Sequence, residues 1–168
     1  VGRKTKLVNR ATKVEALDTF LSGDQLILSS ASGPWYAMRP NETEPARTYH
    51  PTKTTRHTAH ASDTLLLVDI DSTLQARSLT SGHLLWEHPL PHPVHSLWVE
   101  GQEIFVVFAS GVLECRQLTT GASSWRTSLP GLPVGEPTHL EETLLLSTTS
   151  NQGVCSGCVE RETGRRVW

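Results

Sequence analysis

Three stretches of this 168-residue chain superimpose in phase. They are Ala76-Arg-Ser-Leu-Thr-Ser-Gly82-His-Leu-Leu-Trp86, Cys115-Arg-Gln-Leu-Thr-Thr-Gly121-Ala-Ser-Ser-Trp125 and Cys158-Val-Glu-Arg-Glu-Thr-Gly164-Arg-Arg-Val-Trp168. Each has a small residue first, Ser or Thr five positions on, Gly at six and Trp at ten. The glycines fall 39 and 43 residues apart. One such match would carry little weight; three in fixed phase make the chain a repeat of about 40 residues.

An apolar, β-branched run precedes each match: Thr64–Ile70, Glu103–Ala109 and Thr143–Thr149. Runs of this length bounded by turn residues predict strands buried on both faces. A shorter segment comes before each run, such as His95–Gly101. From Leu113 the chain alternates, Leu113, Cys115 and Gln117 against Glu114, Arg116 and Leu118, which predicts a half-exposed strand. The Thr120-Gly121 turn then leads to a fourth strand ending at Trp125, with glycine supplying the positive φ of a tight hairpin. Each repeat is thus a four-stranded antiparallel meander, and such units at this period are propeller blades. Helical repeats are excluded, because the runs lack apolar spacing of three and four. The fold class is all-β: a β-propeller of four-stranded antiparallel blades, about four in this chain.

The fourth copy lies upstream and is eroded. Leu26–Ser30 matches the buried strand and Trp35–Pro40 the next one. In the turn Thr43 matches, but Glu44 replaces the glycine and Thr48 falls where Trp should be, with Tyr49 adjacent. The expected organisation is a basic arm or linker over 1–12, a degenerate blade over 13–50, a blade with an exposed polar loop over 51–90, and blades over 91–130 and 131–168. Pro51–Ser62, polar, Thr-rich and aperiodic, is expected to be that loop, exposed and mobile. The basic start (Arg3, Lys4, Lys6, Arg10, Lys13) reads as a solvated arm or linker rather than a nucleic-acid or membrane contact.

The pattern Ala-x-Asp-x-x-Thr-Gly-x-x-x-Trp is the tryptophan-docking signature of pyrroloquinoline-quinone-type propellers, and the sequence resembles that superfamily over nearly its whole length. Ala76, Cys115 and Cys158 take the Ala slot. Ser78, Gln117 and Glu160 replace the Asp, so the hydrogen bond made there is open to question. Ser81, Thr120 and Thr163 fill the hydroxyl slot, and Gly82, Gly121 and Gly164 the glycine. The resemblance implies that Trp86, Trp125 and Trp168 pack between adjacent blades with the indole N–H on a backbone partner. It also implies rings of seven or eight blades. Either the chain is part of a larger propeller, the preferred reading, or a second copy or a partner closes the ring.

Chemistry-bearing patterns are sparse. The three cysteines, Cys115, Cys155 and Cys158, leave an odd thiol and no disulfide framework. Cys155-Ser-Gly-Cys158 falls in an expected strand, not at the helix N-terminus a redox site needs, and no second Cys/His pair accompanies it for zinc. Asp69 and Asp71 flank Ile70 at a strand end and read as a turn feature. No Gly-x-Ser-x-Gly elbow or glycine-rich phosphate loop is present. Asn41-Glu-Thr43 fits the glycosylation pattern. Of the eight histidines, His57 and His60 sit in the Pro51–Ala61 segment, and His88, His92 and His95 in a Pro-rich inter-blade connection; neither is a preorganised metal site. These two segments and their histidines are the candidate partner contacts, because loops on a rigid frame carry binding.

A net charge of −2 argues against a dedicated nucleic-acid binder, and no apolar run reaches the roughly 20 residues of a membrane span. The expected function is a non-catalytic binding scaffold with a protein partner or a sensed ligand, without cofactor or metal, and with a slight preference for an extracytoplasmic place. The resemblance implies relatives of that kind in outer-membrane assembly lipoproteins and the sensor domains of bacterial kinases. The alternative is part of a quinone-dependent dehydrogenase. Such an enzyme would carry a vicinal Cys-Cys pair and a carboxylate-held Ca²⁺, and neither has a counterpart in the sequence.

Overall fold

The computed structural model describes residues 18–167 apart from 23, 31, 32, 41, 43, 136 and 152. Trp168, the basic arm, and Asn41 and Thr43 therefore lie outside the described residues. The described strands form four antiparallel sheets of four. The first holds β1 (Asp18–Ser22), β2 (Gln25–Ser29), β3 (Trp35–Met38) and β4 (Arg47–Tyr49). The second holds β5 (Thr55–Ala61), β6 (Thr64–Asp69), β7 (Thr73–Ser78) and β8 (Leu84–Pro89). The third holds β9 (Val94–Glu100), β10 (Glu103–Phe108), β11 (Val112–Gln117) and β12 (Ser123–Ser128). The fourth holds β13 (Leu132–Pro133), β14 (Thr138–Leu140), β15 (Thr143–Ser150) and β16 (Gly153–Glu160).

In the first three sheets the strands pair in chain order, as a meander requires. In the fourth, β13 and β14 both pair with β15, so its first strand is interrupted, in a stretch that holds Pro133, Gly135 and Pro137. Proline cannot donate to a ladder, which accounts for the break. After β16 the described chain returns through the Val159–Arg166 bridge and the bonds from Glu160 N to Arg165 O and from Val167 N to Cys158 O.

The sheets stack face to face, and the apolar runs explain why. On β6, Leu65 and Leu67 pack towards the first sheet against Ile27, Trp35, Ala37 and Tyr49. The intervening Leu66 and Val68 pack towards the third, against Ile104, Val106 and Phe108. β10 repeats the arrangement, with Phe105 and Val107 meeting Leu144 and Leu146 of the fourth sheet. A strand covered on both faces loses alternation and reads as a continuous run. The second and third sheets come together along β5 and β9, which makes the first strand of those two sheets the inner one.

Two expectations are corrected here. Thr55–Ala61 is a strand, paired with β6 along its length, and not part of a mobile loop. Thr is β-branched and suits a strand, and Ala59 and Ala61 pack on the core while the other side stays half open, so the segment carries no apolar alternation. β11 is not half-exposed either. Glu114 is fully buried and Arg116 nearly so, because both of its faces are covered by neighbouring sheets.

Docking between sheets follows one geometry at each seam. Trp86 Nε1 donates to Leu118 O at 3.0 Å and Trp125 Nε1 to Arg161 O at 2.7 Å. At the first seam Tyr49, not Thr48, takes the ring's role and its hydroxyl donates to Leu79 O. The glycines of the motif have positive φ (76°, 70° and 70° at Gly82, Gly121 and Gly164). They are also seats: a Cβ on Gly82 would lie 2.8 Å from the Tyr49 ring and one on Gly121 2.7 Å from the Trp86 ring. Gly164 faces Trp125 in the same way. The ring of one sheet thus rests on the bare glycine of the next.

The turn bonds survive without the motif's Asp. Gly82, Gly121 and Gly164 donate to the carbonyls of Ser78, Gln117 and Glu160 at 2.8, 2.8 and 2.9 Å. Thr120 Oγ1 bonds Gln117 Oε1 at 3.0 Å, Thr163 bonds Glu160, and Ser78 Oγ reaches across to Asp63 Oδ2 at 2.8 Å. Tyr49→Phe removes only the bond to Leu79 and keeps the ring on its glycine. It should lower stability by about 1 kcal/mol, read as a shift of the urea midpoint at unchanged slope.

Candidate interaction surface

Each sheet has two ends, and the sequence spends them differently. At one end lie the docking turns, Thr80–His83, Thr119–Ala122 and Glu162–Arg165, whose backbone and glycines are occupied by the neighbouring sheet. At the other lie Thr52–Thr54, Ile70–Ser72, Pro91–Pro93, Ala109–Gly111 and Leu129–Gly131. These are knitted together by backbone bonds (Ile70 N to Thr54 O, Leu90 N to Ser72 O, Ala109 N to Pro93 O, Leu129 N to Gly111 O) but touch no docking ring. This second rim is held by the frame: Leu129 packs on the core and His92 lies against Phe108. Its glycines seat no ring of a neighbouring sheet, and loops so held are where variable contact residues can sit. Ile70 is exposed there. Asp69 Oδ1 accepts from Asp71 N and Thr73 N at 2.9 Å each, so the turn role holds, and Lys53 Nζ lies 2.7 Å from Asp71 Oδ2 and 3.8 Å from Asp69 Oδ2.

The histidines do not converge. Of the five candidate histidines only His92 belongs to a connection, on the second rim, with its ring edge-on to Phe108. His88 is in β8 and His95 in β9, so the Pro-rich connection is confined to Leu90–Pro93. His88 Nε2 sits 2.9 Å from Thr120 O, and the ring tilts against Trp86, which makes it part of the docking contact. His60, in β5, stacks on Phe20 of the first sheet at 3.8 Å. His57, also in β5, donates from Nε2 to Val94 O at 3.0 Å, linking two inner strands.

Burial holds the His57 imidazole below its usual range; the bond to Val94 opposes the shift, and the charges of His95 and Arg56 add to it. The fold therefore favours the neutral ring. The stability this contributes is present above about pH 6.5 and is lost as pH falls through the depressed value, since the unfolded chain takes the proton first. The melting temperature should drop on acidification below about pH 6.5, with a shallower drop in His57→Gln.

The cysteines carry no paired chemistry. Cys155 is exposed, whereas Cys158 and Cys115 are buried, and all are free. Three residues apart on β16, Cys155 and Cys158 point to opposite faces of the sheet, which puts a disulfide out of reach. Burial, with the Glu103 carboxylate beside it, pushes the Cys115 thiol up to about 12, so it stays an inert core group. Among the described residues no cluster of three or more His, Cys, Asp or Glu could hold a metal.

The seams between sheets hold what the sequence reading missed. Between the second and third sheets, Glu114 Oε1 lies 3.1 Å from Arg116 and 3.0 Å from Arg126. Arg116 Nη1 also donates to Gly121 O at 2.8 Å. The same positions one repeat earlier are Gln75 and Arg77: Arg77 Nη2 donates to Gln75 Oε1 and Nη1 to Gly82 O, both at 3.3 Å. In the fourth sheet they are Gly157 and Val159, and a cavity of about 480 Å³ opens beside them against Leu129 and Leu146. The signal lay in the repeat itself, since aligning Arg77 with Arg116 marks both as facing the preceding sheet.

Fold and seams together define a class: an all-β propeller module whose blades interlock by seating a ring on a glycine. Residues 70–168 match the family model described as outer membrane protein assembly factor BamB, and the chain belongs to that family of pyrroloquinoline-quinone-like repeats. The crystal structure of BamB from Moraxella catarrhalis superimposes with a TM-score of 0.74 at 17% identity, over 90% of this chain and 47% of that one. The computationally designed protein Ika8 matches with a TM-score of 0.74 at 12% identity, over 95% and 50%. A second designed protein, Ika4, gives 0.57 at 14% identity, over 70% and 72%. The chain thus spans about half the length of the first two. No curated protein sequence matches it. Among the described residues no helix is long and apolar enough to cross a membrane.

Proposed function

We propose that the chain is a non-catalytic propeller scaffold that holds a protein partner on its second rim, outside the cytoplasm, as part of outer-membrane protein assembly. The observation that supports this most directly is the division of labour between the two ends of each sheet. One end is committed to docking, and the other is held by backbone bonds without seating a docking ring on its glycines. Membership of the family described as outer membrane protein assembly factor BamB supports the compartment and the kind of partner. The units 13–50, 51–90, 91–130 and 131–168 would be its blades, set in a ring completed by further sheets. Of the histidines, His92 falls on the proposed contact rim, while His57, His60 and His88 serve the frame.

The test is site-specific photo-crosslinking in cell envelopes, with the probe at His92 on the second rim and at Arg165 on the docking rim. A discrete protein adduct from position 92 is the expected result. Adducts only from position 165, or none from either on a chain shown to be folded, would count against the reading. So would tight uptake of pyrroloquinoline quinone with Ca²⁺ accompanied by a raised melting temperature, which would restore the dehydrogenase alternative.

A further inference from the structure

We infer that the seam between the first two sheets is a binding site for a carboxylate group. The repeat supplies its own template. At the next seam Arg116 reaches a buried carboxylate, Glu114, two residues before it on the same strand and face, with Arg126 as the second cation. At the first seam Arg77 stands in the place of Arg116, but Gln75 stands in the place of Glu114, so the guanidinium meets a neutral amide.

The bonds register the difference. Those of Arg77 to Gln75 and to Gly82 O run from 3.3 to 3.4 Å, where Arg116 makes 2.8 and 3.1 Å contacts to the equivalent groups. Arg77 has no carboxylate within salt-bridge distance among the described residues.

Space and a second cation are present at the same place. A cavity of about 180 Å³ is bounded by Arg77, Arg47, His50, Trp35, Tyr49 and Leu67. Arg47, from β4, donates to Leu79 O at 3.3 Å and feels the charge of the Asp63 carboxylate, without forming an ion pair with it among the described residues. Two guanidiniums against an aromatic and aliphatic wall suit a carboxylate on a short apolar stem, the guanidinium fork matching its two oxygens. The cavity is too small for a drug-sized ligand, for which pockets of about 300 Å³ and upward are usual. Acidic neighbours lie outside this wall: Glu87 contacts Gln75 at 3.4 Å, and Asp63 is engaged by Thr80 and Ser78. The carboxylate can come from a free small acid or from the acidic side chain of a bound polypeptide.

The probe is sodium butyrate, titrated into the protein against sodium chloride at equal ionic strength while the Trp35 indole N–H is followed by NMR. Trp35 borders the cavity and its Nε1 donates to Ser30 O at 3.1 Å. Butyrate should shift this signal saturably, and chloride should not. Arg77→Met should weaken binding by about tenfold or more. Gln75→Glu, which builds in the carboxylate the next seam already has, should abolish the response while the fold is retained.

A blocked peptide carrying one glutamate separates the sources. Tighter binding than butyrate identifies a polypeptide side chain, and weaker binding a small acid. The proposal is overturned if butyrate gives no saturable shift, or if both variants respond as the parent does. The readout is a ligand titration, so it stands or fails separately from partner crosslinking on the second rim.

Discussion

Gly121→Ala is expected to unfold at a clearly lower denaturant concentration than Gly135→Ala. Both glycines have a left-handed backbone, φ 70° and 80°, so the conformational strain of a Cβ, about 1–2 kcal/mol, is common to the two. The surroundings differ. Nothing lies within 4 Å of a Cβ on Gly135, whereas one on Gly121 would meet His88 at 2.6 Å and the six-membered ring of Trp86 at 2.7 Å. The ring cannot retreat without losing its bond to Leu118 O and its place in the seam. Overpacking of that kind adds about 1–3 kcal/mol. The total at Gly121 should therefore reach about 2–5 kcal/mol, a large part of a typical domain's stability.

The same variant made on a Trp86→Ala background should lose most of the extra penalty, because the atoms it collides with are gone. Equal losses at Gly121 and Gly135, or an undiminished loss without the indole, would show that the motif glycine serves the turn alone.

This dual role explains both what the sequence disclosed and what it withheld. The motif was legible because ring and seat are local and recur in phase, and the sandwiched strands were legible because Leu65–Val68 and Ile104–Phe108 have to be apolar on both faces. The inner strand Thr55–Ala61 was not. Only part of its surface meets the core, so threonines and histidines are tolerated there and no period appears. Tyr49 was displaced by one position because the β3–β4 hairpin is longer than its counterparts and lacks the register shift they carry beside Ala76 and Cys115. Of the candidate site, the histidines drew notice by their chemistry, yet His57, His60 and His88 are spent on contacts between sheets that only the stacked structure creates. Glu114 and Arg116 were missed for the opposite reason. Charged residues alternating with Leu113 and Cys115 imply solvent, unless the neighbouring sheet covers them.

That burial sets the second large effect. Glu114 is completely buried and the Arg116 side chain is 7% exposed, so removing the carboxylate leaves a guanidinium without a counter-charge inside a seam. Glu114→Ala should cost about 3–5 kcal/mol, as breaking a buried pair on one side does. Arg126 is 51% exposed and can be hydrated instead, so Arg126→Ala should cost no more than about 1 kcal/mol. Replacing both buried partners, Glu114→Met with Arg116→Met, should be far less harmful than the two single changes added together. The double variant loses the attraction but also the desolvation of two charges, and two apolar side chains suit a cluster that already contains Val106 and Phe108. Urea midpoints of the three variants and the parent decide the matter. A double variant as unstable as the sum of the singles would mean that the bond from Arg116 to Gly121 O, which pins the docking turn, outweighs the ion pair.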